Sequence, residues 1–333
     1  MNGSLCDELL LRGYWYPVVR NVDVQASPVA VRLLGDDYVI WRNAAGGVSA
    51  APDRCPHRQS PLSPGVVKDG CIECPYHGWQ FDGDGRCVNV PSSSPGTPVP
   101  PRASVEVVHV ADRYGLVWLC PGQPQGDIPK IVEDDDPAYR RINTPVEVWN
   151  VSAGRMVDNF LDFSHFPFVH TGTFGRAQDT IIPHLELGDL DDDFYGYRYE
   201  VDAANQSLGT MVTGQSESVV HRRMTTGFNL PFTVRSTIEY HTGLNHILLL
   251  LSIPVDDETS LFTFVVWRND DFAVSAEEII RFDMAIGAED KRMLERLHGP
   301  LPLDQTTLVS VQADKCSVEW RRRLRNLLEG DVA

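Results

Sequence analysis

Cys55-Pro56-His57 and, after residues 58–73, Cys74-Pro75-Tyr76-His77 form the stretch whose reading decides how the N-terminal part of this chain folds. Each half offers one thiol and one imidazole, spaced C-x-H and then C-x2-H. Facing one another, the halves make a set of two sulfur and two nitrogen ligands. Pro56 and Pro75 stiffen the two tips, and Gly78 lets the backbone turn tightly beside a bulky metal group. Two other readings compete. A Cys2His2 set can hold structural zinc, and Cys71-Ile72-Glu73-Cys74 has the spacing of a redox C-x-x-C. Zinc fingers, however, take both cysteines from one knuckle and both histidines from a helix. Here each knuckle supplies one of each.

That split favours iron. A [2Fe–2S] cluster normally takes four cysteines, and in a Rieske centre two histidines replace two of them on one iron, raising the potential. The ligands on this reading are Cys55, His57, Cys74 and His77, with Cys71 a neighbour rather than a ligand. Tyr76 and Trp79 are expected to pack around the cluster.

Around this motif, residues 14–120 read as strands and turns. Hairpins are expected at 29–34 with 38–41, at 79–81 with 87–90, and at 105–110 with 114–119, the last turning at Asp112-Arg113. Residues 91–101, rich in Ser, Gly and Pro, read as a loop. The organisation expected is an N-terminal segment 1–13, an all-β domain 14–120, a polar connector 121–145 and a second domain 146–333. In the second domain Ser152 opens a helix to about residue 165, whose core face is Met156, Phe160 and Phe163. Residues 171–193 read as a long loop. Strands follow at 194–201, 216–224, 232–240, 246–255 and 261–267. Ser275 to Glu278 is a capping-box signature for a helix to about 297, and a last helix covers 318–328. The fold class is therefore α+β: an antiparallel sheet with helices packed on it, preceded by a small β domain.

Composition bounds the function. The 333 residues are enough for two cores. The longest aliphatic run, 247–251, is far too short to span a bilayer, which argues against a membrane role. Asp7 and Glu8 stand where a signal peptide would carry basic residues. The seven cysteines are scattered and odd in number, which argues against a disulfide framework and for a reducing cytoplasm. A net charge of −17 excludes nucleic acid as the natural partner.

A second metal site is suggested by Asn159-Phe-Leu-Asp162-Phe-Ser-His165-Phe-Pro-Phe-Val-His170. Two histidines near carboxylates point to the two-His, one-carboxylate triad of non-haem Fe(II), which leaves positions open for O2. On a regular helix residues five apart diverge by about 140°. Pro167 is therefore expected to break the helix and let the chain bring His170 back toward His165. Asp162, three residues before His165, is placed to accept an N–H from it. For the third ligand, Asp283 and Asp290 lie seven apart and share one helix face, so either carboxylate serves.

Over nearly its whole length the chain resembles the catalytic subunit of a Rieske non-haem iron oxygenase. The resemblance is carried by C-x-H…C-x2-H, by N-x2-D-x2-H-x4-H, and by Ala288-Glu-Asp290-Lys-Arg-Met-Leu-Glu295. It implies a helix-grip-like catalytic domain, a Rieske [2Fe–2S] cluster and a mononuclear Fe(II). The iron ligands it implies are His165, His170 and Asp290, with Asn159 beside the metal. It makes Asp162 the residue linking a cluster histidine of one subunit to an iron-bound histidine of the next, within a homotrimer. The chain is similar to the one-subunit branch that demethylates methoxybenzoates and N-methylated purines. The expected activity is thus oxidative O- or N-demethylation of a small aromatic or heterocyclic substrate, with O2 and an NAD(P)H-dependent reductase, alone or through a ferredoxin, as partners. C–H or ring hydroxylation by the same site is the alternative, and a plain Rieske electron carrier the remote one. The resemblance also points to Asn229 and His246 as substrate-binding residues, against a turn-capping Asn and an exposed strand His. Phe232, Ile238 and Trp267 read equally as core or as pocket wall.

Overall fold

The computed structural model describes residues 4–94, 96–270, 274–304 and 306–330, with backbone only at Ser207 and Leu208. The extreme ends of the expected domain spans, 1–3 and 331–333, and residue 95 of the expected loop lie outside the described residues. The chain divides into two compact units, one of residues 6–127 and one made chiefly of residues 128–333.

The first unit is all β. Its strands are β1 (Tyr16–Arg20), β2 (Val29–Leu33), β3 (Asp36–Arg42), β4 (Val48–Pro52), β5 (Val66–Lys68), β6 (Cys71–Glu73), β7 (Gln80–Phe81), β8 (Cys87–Asn89), β9 (His109–Arg113) and β10 (Leu116–Cys120). They form three antiparallel sheets, ordered β1-β10-β9, β2-β3-β4 and β5-β6-β7-β8. A core of Val39, Trp41, Leu62, Ile72 and Phe81 closes beneath the two cysteines Cys55 and Cys74, which are themselves buried in it.

The third hairpin differs from the sequence reading. Asp112 and Arg113 stay in β9, and the turn is Tyr114-Gly115, with φ of 57° and 73°. A two-residue hairpin turn of this hand needs positive φ at both positions, which Gly115 supplies freely. Tyr114 meets its strain with burial, at 3 % exposure. The polar pair looked like the turn, but backbone conformation outranked polarity.

The second unit begins earlier than expected. The division falls at 127/128, inside the expected connector 121–145, and the rest of that connector belongs to the second unit. The expected connector contains β11 (Arg140–Asn143), which pairs with a strand from the far end of the domain. Its charged residues read as linker because β11 lies at the end of the sheet. Then come β12 (Glu147–Trp149), α1 (Ala153–Phe160), α2 (Phe166–Val169), β13 (Gly188–Asp189), β14 (Tyr195–Ala204), α3 (Ser207–Thr213), β15 (Val219–Asn229), β16 (Thr233–Tyr240), β17 (Asn245–Pro254), β18 (Ser260–Arg268), α4 (Ala276–Leu294) and α5 (Lys315–Glu329). The sheet is antiparallel throughout, ordered β11-β18-β17-β16-β15-β14-β13, with β12 also on β18. Met156 of α1, Ile279 and Leu294 of α4, and Phe262, Phe264 and Val266 of β18 share one core with Trp149. Ser275 caps α4 through the expected box with Glu278. Trp320 of α5 is fully buried and donates from its indole nitrogen to the Pro231 carbonyl.

Helix α1 stops at Phe160, five residues short of the expected end. The cause is Asp162, whose carboxylate accepts the backbone N–H groups of Ser164 at 2.8 Å and His165 at 3.2 Å. An Asp that captures nearby backbone donors competes with the helix ladder. Pro167 therefore does not break the helix. It sits in the first turn of α2, where no backbone donor is needed.

Candidate metal centres and substrate pocket

Within the first unit, Cys55 and Cys74 head two loops built to one plan. Gln59 N–H donates to the Cys55 carbonyl and Gly78 N–H to the Cys74 carbonyl, both at 2.9 Å. Cys55 N–H donates to Ser60 O and Cys74 N–H to Trp79 O. The fourth residue after each cysteine takes positive φ, 60° at Gln59 and 71° at Gly78. The thiols are buried, whereas His57 is half-buried and His77 exposed. The imidazole centroids are 4.5 Å apart. Trp79 stacks on His57 at 4.5 Å and Tyr76 tilts over His77 at 3.9 Å, so both aromatics pack where expected.

This arrangement fits the cluster. Burial pushes the Cys55 thiol up to about 11, so a thiolate there needs a cation beside it. His57 Nδ1 is buried with no hydrogen-bond partner among the described residues, the condition of a nitrogen reserved for metal.

In the second unit His165 and His170 bracket α2, one at each end. Each is aimed by a carboxylate. His165 Nδ1 lies 3.0 Å from Asp162 Oδ2, and His170 Nδ1 lies 3.0 Å from Glu289 Oε2. Glu289 is in turn held by Gly172 N–H at 3.0 Å and the Thr173 hydroxyl at 2.7 Å. With both Nδ1 atoms engaged, the two Nε2 atoms point at one place, 3.1 Å apart. Asp290 Oδ1 completes a triangle, 3.4 Å from His165 Nε2 and 3.3 Å from His170 Nε2. Three ligands at right angles, each about 2.1 Å from one ion, stand about 3.0 Å apart, so the triangle fits a facial metal site. Asn159 donates to the same Asp290 oxygen at 3.0 Å.

The charge balance also calls for a cation. Burial disfavours charge on His165, but its hydrogen bonds to Asp162 and Asp290 win, and its pKa is pushed up to about 9. Burial likewise opposes charge on Asp290, yet hydrogen bonds from both histidines hold it well below the usual carboxylate range.

The triangle opens on a cavity between the inner face of the sheet and the α1–α2–α4 side. Alternation along each strand supplies the wall: Tyr197 and Tyr199 from β14, Met224 and Thr226 from β15, Leu248 and Leu250 from β17. Asp283, Ile286, Gly287 and Asp290 of α4 face it from the other side, on one helical stripe. The two candidate carboxylates thus share a face and separate in role. Asp283 Oδ2 lies 3.3 Å from His246 Nε2, away from the histidine pair, and only Asp290 groups with His165 and His170.

His246 is buried at 2 % exposure, not an exposed strand residue. Arg268 Nη1 lies 2.9 Å from its Nδ1, and arginine can only donate, so the His246 proton sits on Nε2, facing Asp283. Asn229 does not reach the cavity. It ends β15, and its amide donates to the Asp193 carbonyl at 2.8 Å. Ile238 lines the cavity; Phe232 and Trp267 are core. Sequence reasoning missed Glu289, although it stands next to Asp290. Its signal was present only as a second acid beside the candidate ligand, which looks like an ordinary helix charge.

An all-β unit with paired Cys/His knuckles, and a sheet-and-helix unit with a two-His, one-Asp triangle under an apolar cavity, together define an iron-dependent oxidoreductase. Comparison with known proteins places it. Residues 14–109 match the Rieske [2Fe-2S] domain, and residues 149–330 the vanillate O-demethylase oxygenase C-terminal domain. The chain belongs to the Rieske non-haem iron oxygenases. It is 32 % identical to methylxanthine N1-demethylase NdmA of Pseudomonas putida, over 96 % of this chain and 90 % of that one. It is 28 % identical to methylxanthine N3-demethylase NdmB of the same organism, over 95 % and 89 %. The solved structure of Pseudomonas putida CBB5 NdmA with caffeine superposes with a TM-score of 0.84 at 29 % identity, covering 97 % of this chain and 93 % of that one. The chain carries the family's Rieske cluster and mononuclear iron site. Among the described residues no helix is long and apolar enough to cross a membrane.

Proposed function

We propose that this protein is the terminal oxygenase of a cytoplasmic demethylase system, acting on an O- or N-methyl group of a small aromatic or heterocyclic compound. The single observation that carries this reading is the His165–His170–Asp290 triangle, with edges of 3.1 to 3.4 Å, at the wall of a mainly apolar cavity. The family's demethylating members, described above, supply the reaction type. The substrate's methyl C–H becomes C–OH at the cost of one O2, two electrons and two protons, with water as the other product. The resulting hemiacetal or hemiaminal splits into the free hydroxyl or amine and formaldehyde. The electrons come from an NAD(P)H-dependent reductase, directly or through a ferredoxin.

In this reading Cys55, His57, Cys74 and His77 hold the cluster, and His165, His170 and Asp290 hold Fe(II). The bound metals supply single electrons and O2 activation; the protein supplies orientation and a dry site. Asp162 fixes the His165 tautomer by accepting its Nδ1 proton, and Glu289 does the same for His170. Asn159 steadies the Asp290 oxygen. His246 presents Nε2–H to a polar group of the substrate. Asp162 also serves as the link toward a cluster histidine of a neighbouring subunit in a homotrimer.

Purified protein with about three irons and two acid-labile sulfides per chain, supplied with a generic reductase, should release formaldehyde from a methylated aromatic or heterocycle. A hydroxylated product with the methyl group retained would turn the reading to hydroxylation. Stoichiometric zinc without sulfide would end it. In Asp162→Asn the cluster and iron should remain while single-turnover reoxidation of the cluster, coupled to product, collapses. Normal reoxidation with normal product would remove the linking role.

A further inference from the structure

Two arginines are buried in the sheet, and they are treated differently. Arg268 is 1 % exposed and fully occupied: it donates to Asp270 at 3.0 Å, to His246 Nδ1 at 2.9 Å and to the Val212 carbonyl at 2.7 Å. Arg222 is 3 % exposed and points inward from β15, between Val220 and Met224. Among the described residues it has no salt bridge, and its Nε is buried without a hydrogen-bond partner. Its outward neighbour Arg223, by contrast, lies 3.8 Å from Glu200 and 3.6 Å from Glu239.

Burying a cation without an acceptor is costly unless something else supplies the negative charge. Two rings supply part of it. Arg222 Cζ lies over Phe174, 5.0 Å from the ring centre, and over Tyr240, 5.8 Å from the ring centre. Rings stabilise the guanidinium charge at its faces. They leave its edge donors, a fork matched to a carboxylate, without an acceptor among the described residues.

Arg222 lines the same cavity as the His165–His170–Asp290 triangle, and among the described lining residues it is the one arginine or lysine. Of the cavity's acids, Asp162 and Asp290 are engaged with the histidine pair, while Asp283 Oδ2 lies 3.3 Å from His246 Nε2 without a hydrogen bond; among the described residues none of the three forms a salt bridge with Arg222. We propose that Arg222 is the recognition site for a carboxylate on the substrate, which makes the substrate class an aromatic acid bearing the methyl group. The carboxylate takes the Arg222 fork, the ring lies along the apolar wall of Met224, Leu248 and Leu250, and the methyl group is directed to the triangle. This rests on the reading of the cavity as the oxygenase pocket.

The test measures binding, not turnover, so it stands apart from the formaldehyde assay. Holoenzyme is titrated calorimetrically with benzoate, 3-methoxybenzoate and 4-methoxybenzoate, and with the three matching amides, which have the same shape and no charge. At least one acid should bind about tenfold or more tightly than its amide. In Arg222→Gln that preference should vanish, and in Arg222→Lys part of it should remain. Equal affinity for acid and amide in the unsubstituted protein would overturn the proposal, as would a preference that survives in Arg222→Gln, or no binding of any acid at about 10 mM. Cluster absorbance and iron content show whether Arg222→Gln folds; if it does not, the unsubstituted protein and Arg222→Lys decide. Formaldehyde without acid preference removes only the Arg222 assignment. Acid preference without formaldehyde removes only the demethylation reading.

Discussion

The two metal sites each use two histidines, but they are held by different means. At the cluster site the proposed ligands fall within 55–77, on two loops whose own backbone hydrogen bonds set the geometry. At the mononuclear site the proposed ligands come from the flanks of α2 and from α4, which lies more than a hundred residues further along, and side-chain carboxylates aim the histidines. A site built by local backbone is written into a short motif. A site built by side chains from distant elements depends on partners that no spacing rule identifies, Glu289 being the example. The first kind should therefore fail through backbone strain, the second through loss of single side-chain contacts.

The largest expected effect separates the two directly. Asp290→Ala should empty the mononuclear site and drop turnover to background while leaving the cluster absorbance intact. Asp283→Ala should keep both metals. Iron analysis with visible spectroscopy distinguishes them, and iron loss in Asp283→Ala with retention in Asp290→Ala would exchange their roles.

Next comes Glu289→Gln, which keeps shape but weakens the acceptor for His170 Nδ1. Iron affinity should fall by about 10- to 100-fold, as is usual when the partner of a metal-bound histidine is lost. Chelator competition measures it, and the cluster should again be untouched. An unchanged iron affinity would mean that the backbone around Gly172 and Thr173 places His170 without help from the carboxylate.

The smallest effect concerns the knuckles. Gly78→Ala adds a Cβ at φ 71°, and the new atom would stand 3.1 Å from Pro91 Cγ. The left-handed backbone costs about 1–2 kcal/mol for a residue with a side chain. Thermal unfolding should fall accordingly. Gln59→Gly relieves the matching strain at φ 60° in the other loop and should leave stability level or slightly higher. A large loss in Gln59→Gly would show that the Gln59 side chain, 2.9 Å from Arg54, matters more than its backbone.

Much of this could be read from the chain alone. The knuckles, the strands 233–240, 245–254 and 260–268, and the capped start of α4 follow from local rules: ligand spacing, apolar and β-branched runs between turn signals, and a side chain that closes its own helix. Resemblance to the family added Asp290 over Asp283. What local rules could not supply depends on long-range pairing or competition. The strand at 140–143 is recognisable only by its partner at 265–268, so its polar residues read as linker. The end of α1 was set by Asp162 capturing backbone N–H groups, not by the proline that stood out in the sequence. Asn229 and His246 looked alike as candidates, yet one bonds a distant backbone carbonyl and the other faces the cavity, because strand register sends one side chain to Asp193 and the other to Asp283. The composition and motifs determined that this is a two-metal, two-unit protein. Only the tertiary structure decided which carboxylate meets which histidine, and which buried arginine has no acceptor among the described residues. Those pairings are set by distances between residues far apart in sequence, and spacing along the chain carries no information about them.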